Sequence, residues 1–84
     1  RNNGEEIRIL KEGSYEMNNK KGIIFSVFPY GCESVNVTYK GAEYMLNNKT
    51  LTYNVSRGIS NVFVDDEAEI TINRGRAILL TYYK

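Results

Sequence analysis

Between Ser34 and Val55 the chain alternates apolar and polar residues with turn chemistry between the runs, and this pattern constrains the fold more than any other feature. Val35, Val37 and Tyr39 fall on one side, with Ser34, Asn36 and Thr38 on the other. Leu51, Tyr53 and Val55 alternate in the same way with Thr50, Thr52 and Asn54. Successive side chains on a strand point to opposite faces, so each run offers one face to a core and one to water. Lys40-Gly41 and Asn47-Asn48-Lys49 are short polar breaks of the kind that reverse a strand. The stretch predicts an antiparallel meander that includes Ala42 to Leu46, with Tyr39 and Tyr53 in core or sheet packing.

The same grammar extends in both directions. Residues 1–4 read as a frayed end, and Glu5 to Lys11 as an edge strand with Ile7 and Ile9 on one face. Gly13 breaks it, and Ser14 to Met17 follows. Asn18-Asn19-Lys20-Lys21-Gly22 is a turn, because Asn and Gly tolerate positive φ. Ile23 to Phe28 is apolar except at Ser26, which predicts cover on both faces, and Pro29 ends it. Arg57-Gly58 breaks the pattern before a strand over Ile59 to Val64. Asp65-Asp66-Glu67 is an acidic turn, Ala68 to Ile72 alternates, Asn73-Arg74-Gly75-Arg76 reads as a tight hairpin, and Ala77 to Tyr83 is a last apolar strand. No long window shows helical apolar spacing. The expectation is an all-β domain spanning residues 1–84: a small antiparallel β-sandwich or jelly-roll-like sheet pair of about seven to nine short strands, without substantial helix. A chain that starts at Arg1 reads as processed or as part of a longer polypeptide.

Composition removes several functions. Eleven Lys and Arg against ten Asp and Glu leave a net charge of +1, which argues against a nucleic-acid binder driven by bulk electrostatics. The single cysteine, Cys32, cannot close an intramolecular disulfide. No histidine is present to act as general base or metal ligand. No apolar run is long enough to span a bilayer, so no membrane is expected. The serines and Cys32 lack an activating partner, and Ser56-Arg57-Gly58 is not a phosphate loop. No enzyme, catalytic residue or cofactor is expected.

Asp65, Asp66 and Glu67 form the one carboxylate cluster in the sequence, a weak candidate for calcium that lacks the glycine and spacing of a calcium loop. Asn36, Asn48 and Asn54 each begin an Asn-x-Ser/Thr acceptor, and Asn48, in a turn, is the best placed for glycosylation. Tyr15, Tyr30 and Tyr44 could form a stacking surface for sugars or bases. Asn61-Val62-Phe63-Val64-Asp65 resembles the second aromatic strand motif of the cold-shock nucleic-acid-binding barrels, and Lys21-Gly22-Ile23-Ile24-Phe25 resembles the first. That family's glycine between aromatics and its closing histidine are absent, and the two stretches lie far apart here.

Without a catalytic set, and with two strands too apolar for a lone sandwich, the sequence points first to a structural or assembly module in a virion: a phage or viral capsid decoration protein, fibre or baseplate domain. Its partner would be another protein or a second copy of itself, through Phe25, Val27, Phe28, Tyr82 and Tyr83. An extracellular adhesive or carbohydrate-binding domain with a glycan ligand comes second, and an oligonucleotide-binding barrel third. The corresponding location is the virion or the cell surface.

Overall fold

Two four-stranded antiparallel sheets face each other in a computed structural model that describes residues 4–56 and 60–83. The strands are β1 (Gly4–Leu10), β2 (Gly13–Glu16), β3 (Ile24–Pro29), β4 (Ser34–Lys40), β5 (Lys49–Thr52), β6 (Asn61–Val62), β7 (Glu69–Arg74) and β8 (Ala77–Tyr83). One helical turn, α1 (Tyr53–Ser56), follows β5. Sheet A runs β1-β8-β3-β6 and sheet B runs β2-β7-β4-β5, an all-β sandwich as the alternation requires. The expected breaks at Arg57-Gly58 and at residues 1–3, and the expected strand start at Ile59, lie outside the described residues.

The core is the sum of the inward alternations. Sheet B contributes Val35, Val37, Tyr39, Leu51, Ile70 and Ile72, and sheet A contributes Leu10, Phe25, Val27, Ala77 and Leu79. Phe25 is fully buried, stacks on Phe63 at 4.2 Å and meets the Tyr39 ring edge-on at 5.3 Å. Burial holds the Tyr39 phenol well above the usual tyrosine range, because a phenolate there would lose its hydration.

Several local expectations are corrected. Residues 42–46 do not form the middle of a meander. β4 pairs directly with β5, while the intervening segment crosses to the other sheet, where Ala42 bridges Phe63. Asn73-Arg74-Gly75-Arg76 is not a hairpin: β7 lies in sheet B and β8 in sheet A, so this corner carries the chain across the core. The strand expected over Leu51 to Val55 ends at Thr52, and Tyr53, 55% exposed, lies outside the core with its ring 5.8 Å from that of Phe28 on β3. Phe25 and Val27 face inward, with 0% and 4% exposure, so they are core residues and present no association surface. Phe28, Tyr82 and Tyr83 are half-buried. Tyr82 lies on the outer side of sheet A, whereas the Tyr83 hydroxyl donates to Glu6 (2.9 Å) and accepts from Lys20.

Candidate functional site

The segment that left the meander builds the most distinctive surface of the chain. Gly41 turns it out of β4 at φ +76°, and a Cβ there would come within 2.7 Å of the Glu67 carbonyl and 2.9 Å of the Ala68 side chain, so only glycine fits. The Gly41 carbonyl accepts the Val64 N–H at 2.8 Å, and the Glu43 N–H donates to the Val62 carbonyl at 2.9 Å. Residues 42–44 thereby run beside β6, the short edge strand of sheet A.

Asn61 locks this arrangement. Its side-chain oxygen accepts the Tyr44 N–H (3.0 Å) and the Val62 N–H (2.9 Å), and its amide donates to the Tyr44 carbonyl (2.8 Å). The side chain is 7% exposed and acts as a two-sided clamp on one residue of the neighbouring segment. A buried amide is stable only when partnered, and here the partners are the backbone groups that an edge segment would otherwise leave unpaired. The clamp fixes the backbone at Tyr44 while leaving its ring 59% exposed and the next side chain, Met45, 68% exposed. Leu46 returns to the core edge, its carbonyl accepting the Tyr39 N–H at 2.8 Å. The result is a rim that presents an aromatic ring and a thioether, with the exposed Glu43 next to them in the chain. Such a rim suits a flat, cationic aromatic molecule, through stacking and cation–π attraction.

Among the described residues, two further open hollows can be named. Glu16, Asn18, Lys40, Glu67, Ala68 and Glu69 line one of about 390 Å³. Lys11, Glu12, Gly75 and Arg76 line the other, of about 440 Å³.

The sequence candidates are scattered by comparison. Asp65, Asp66 and Glu67 are all exposed, and among the described residues no group of three or more acidic or Cys side chains converges to hold a metal. Tyr15, Tyr30 and Tyr44 sit on β2, after β3 and beside β6, so they make no common platform. The Tyr15 hydroxyl donates to the Lys11 carbonyl, with the Arg8 guanidinium 5.6 Å from its ring centre. Asn48 is exposed in its turn at φ 58°, and its N–H donates to Thr38. Asn61 went unnoticed as a clamp because its partner is 17 residues away. The one sequence signal was an Asn inside an apolar strand.

Comparison with known proteins supplies what the geometry cannot. Residues 6–78 match the family model described as thiamin pyrophosphokinase, vitamin B1 binding domain. Among solved structures, thiamine pyrophosphokinase from Bacillus subtilis superposes with a TM-score of 0.82 at 22% identity, covering 96% of this chain and 38% of that one. Thiamin pyrophosphokinase from Geobacillus thermodenitrificans gives 0.76 at 18%, covering 98% and 39%. A thiamin pyrophosphokinase family protein from Enterococcus faecalis gives 0.65 at 18%, covering 96% and 38%. At these identities the likeness establishes the fold. No curated protein matches. The chain spans less than two fifths of the length of the solved structures it resembles.

These findings overturn the virion reading, together with the adhesive and oligonucleotide-binding alternatives, the virion or cell-surface location and the expectation that no enzyme is involved. The missing histidine described what this stretch does not itself hold, not the reaction its family serves. The chain belongs to the thiamin pyrophosphokinase vitamin B1-binding domain family.

Proposed function

We propose that this sandwich is the thiamin-holding module of a thiamin pyrophosphokinase, with the rim of Tyr44 and Met45 facing the vitamin. The family match over residues 6–78, which contains the whole rim, is the observation that carries this reading. Thiamin joins a flat aminopyrimidine to a cationic thiazolium ring that bears a hydroxyethyl arm. An exposed tyrosine face attracts such a cation, a thioether adapts to the shape of either ring, and the Glu43 carboxylate adds charge of the right sign. Asn61 is a positioning residue, since all its groups that bond Tyr44 and Val62 are committed to holding the segment in place.

In pyrophosphate transfer the acceptor hydroxyl must be held in line with the donor phosphorus, and most of the catalysis is positioning and charge stabilisation. This module's task is to hold the acceptor. The donor site and the charges that stabilise the transferred group belong to the part of the relatives that this chain does not span.

Calorimetric titration of the chain with thiamin tests the reading. Saturable binding is expected, weakened about three- to thirtyfold by Tyr44→Ala, the range of a cation–π contact worth ~0.5–2 kcal/mol. Absence of binding at millimolar thiamin, or equal affinity in Tyr44→Ala, contradicts it.

A further inference from the structure

We propose that Met45 is a reversible oxidation switch on the rim, an inference that rests on the thiamin reading: conversion of its thioether to the sulfoxide loosens the hold on the vitamin. The chain has two methionines. Met17 is 1% exposed and belongs to the core between the sheets, whereas Met45 is 68% exposed, the highest value of any large apolar side chain among the described residues. Anchored backbone on both sides fixes that exposure. Tyr44 sits in the Asn61 clamp, and the Leu46 carbonyl accepts the Tyr39 N–H at 2.8 Å, so the residue between them is held out from the core. A dissolved oxidant therefore meets one thioether directly and reaches the other only when the sandwich opens.

The oxidant is a peroxide, hydrogen peroxide in the simplest case. A lone pair of the Met45 sulfur attacks one peroxide oxygen, the O–O bond breaks and an S–O bond forms. The oxygen that stays on sulfur gives its proton to the one that departs, which leaves as water. Sulfur loses two electrons and the peroxide gains them, so the step balances without a further reagent. The product changes what the rim offers. A thioether is apolar, polarisable and flexible, and adapts to a flat ring. A sulfoxide is polar and chiral, and its oxygen holds water that a ring seated on it must displace. Reductases specific for the two sulfoxide epimers return the thioether, which makes the change reversible. The one thiol of the chain lies away from this chemistry. Cys32 follows the far end of β3, where its Sγ donates to the Tyr30 and Arg76 carbonyls at 3.5 Å, while β6 and the rim sit at the Ile24 end.

The test treats the Cys32→Ser chain with hydrogen peroxide, so that only thioethers react, and follows each methionine by peptide mass spectrometry. Met45 is expected to gain one oxygen about tenfold or more faster than Met17, and to lose that lead in concentrated urea. Thiamin titration of the chain oxidised at Met45 alone is expected to show affinity weakened about two- to tenfold, the range of a lost sulfur–ring contact. Thermal melts should stay unchanged, and the paired sulfoxide reductases should restore the affinity. Met45→Leu has no thioether on the rim, so its affinity is expected to be the same before and after peroxide. Equal oxidation of Met17 and Met45 in the folded chain, unchanged affinity after Met45 is oxidised, or the same loss in Met45→Leu overturns the proposal and leaves the thiamin reading standing. A loss that the reductases do not reverse, or one accompanied by a lowered melting temperature, does the same. Failure of the unoxidised wild-type chain to bind thiamin overturns both.

Discussion

The two sheets have equivalent inner faces and opposite outer ones. Outside sheet B, Ser14 meets Thr71 at 3.0 Å, Asn73 donates to both Asn36 and Thr38 at 2.9 Å, and Asn36 donates to Thr50 at 3.1 Å. Outside sheet A, the corresponding positions on β1, β3 and β8 carry Ile7, Ile9, Ile24, Phe28, Ile78, Leu80 and Tyr82. Inward packing cannot explain this contrast, since both sheets bury their alternate residues against one core. What differs is how each outer face fares in water. A row of hydroxyls and amides that bond one another while half-exposed is at ease in water, whereas a row of isoleucines gains free energy only when something covers it.

Substitutions can break or sharpen that comparison. The largest effect is expected from Phe25→Ala, which removes the ring between Phe63 and Tyr39. It should cost about 3–5 kcal/mol and dissolve both outer faces together, measured by chemical denaturation. A loss below about 1 kcal/mol would mean that the sheets do not share one core. The outer face of sheet A comes next: Ile7→Glu replaces a 63% exposed apolar side chain by a charge, and should lower the tendency of the chain to associate at high concentration while leaving the unfolding midpoint nearly unchanged. The smallest effect belongs to the outer face of sheet B, where Thr71→Ala removes one cross-strand hydroxyl pair. A cost of about 0.2–1 kcal/mol and unchanged sedimentation are expected. Loss of association in Thr71→Ala would show that the polar face also meets a partner.

The alternation of Val35, Val37 and Tyr39 was enough to place the sheet B core, because a two-residue period leaves little freedom about which side is buried. Ile23 to Phe28 was harder. A run apolar on both faces hides which side is inside, and Phe25 and Val27, which face the core, were grouped with the outward Phe28 as association residues. The corner at Asn73 to Arg76 has good turn residues, yet turn chemistry fixes a local reversal and says nothing about whether the chain returns to the same sheet. Of the rim, the sequence offered Tyr44 as a stacking residue but not the arrangement that presents it. Its logic lies in the bonding of Asn61 to Tyr44, a contact created by the crossover of residues 42–46 between sheets. The proposed function was hidden for a related reason: a module proposed to hold a substrate needs a shaped surface, and it need not carry nucleophile, base or metal ligands that a motif could reveal.

The most direct test of the central claim is to follow backbone amide signals of the chain by NMR during a thiamin titration. The account predicts saturable shifts concentrated in residues 42–46 and 60–64, with the outer strands of sheet B silent. Shifts confined to the sheet B face, or no saturable shift at any thiamin concentration, would contradict it.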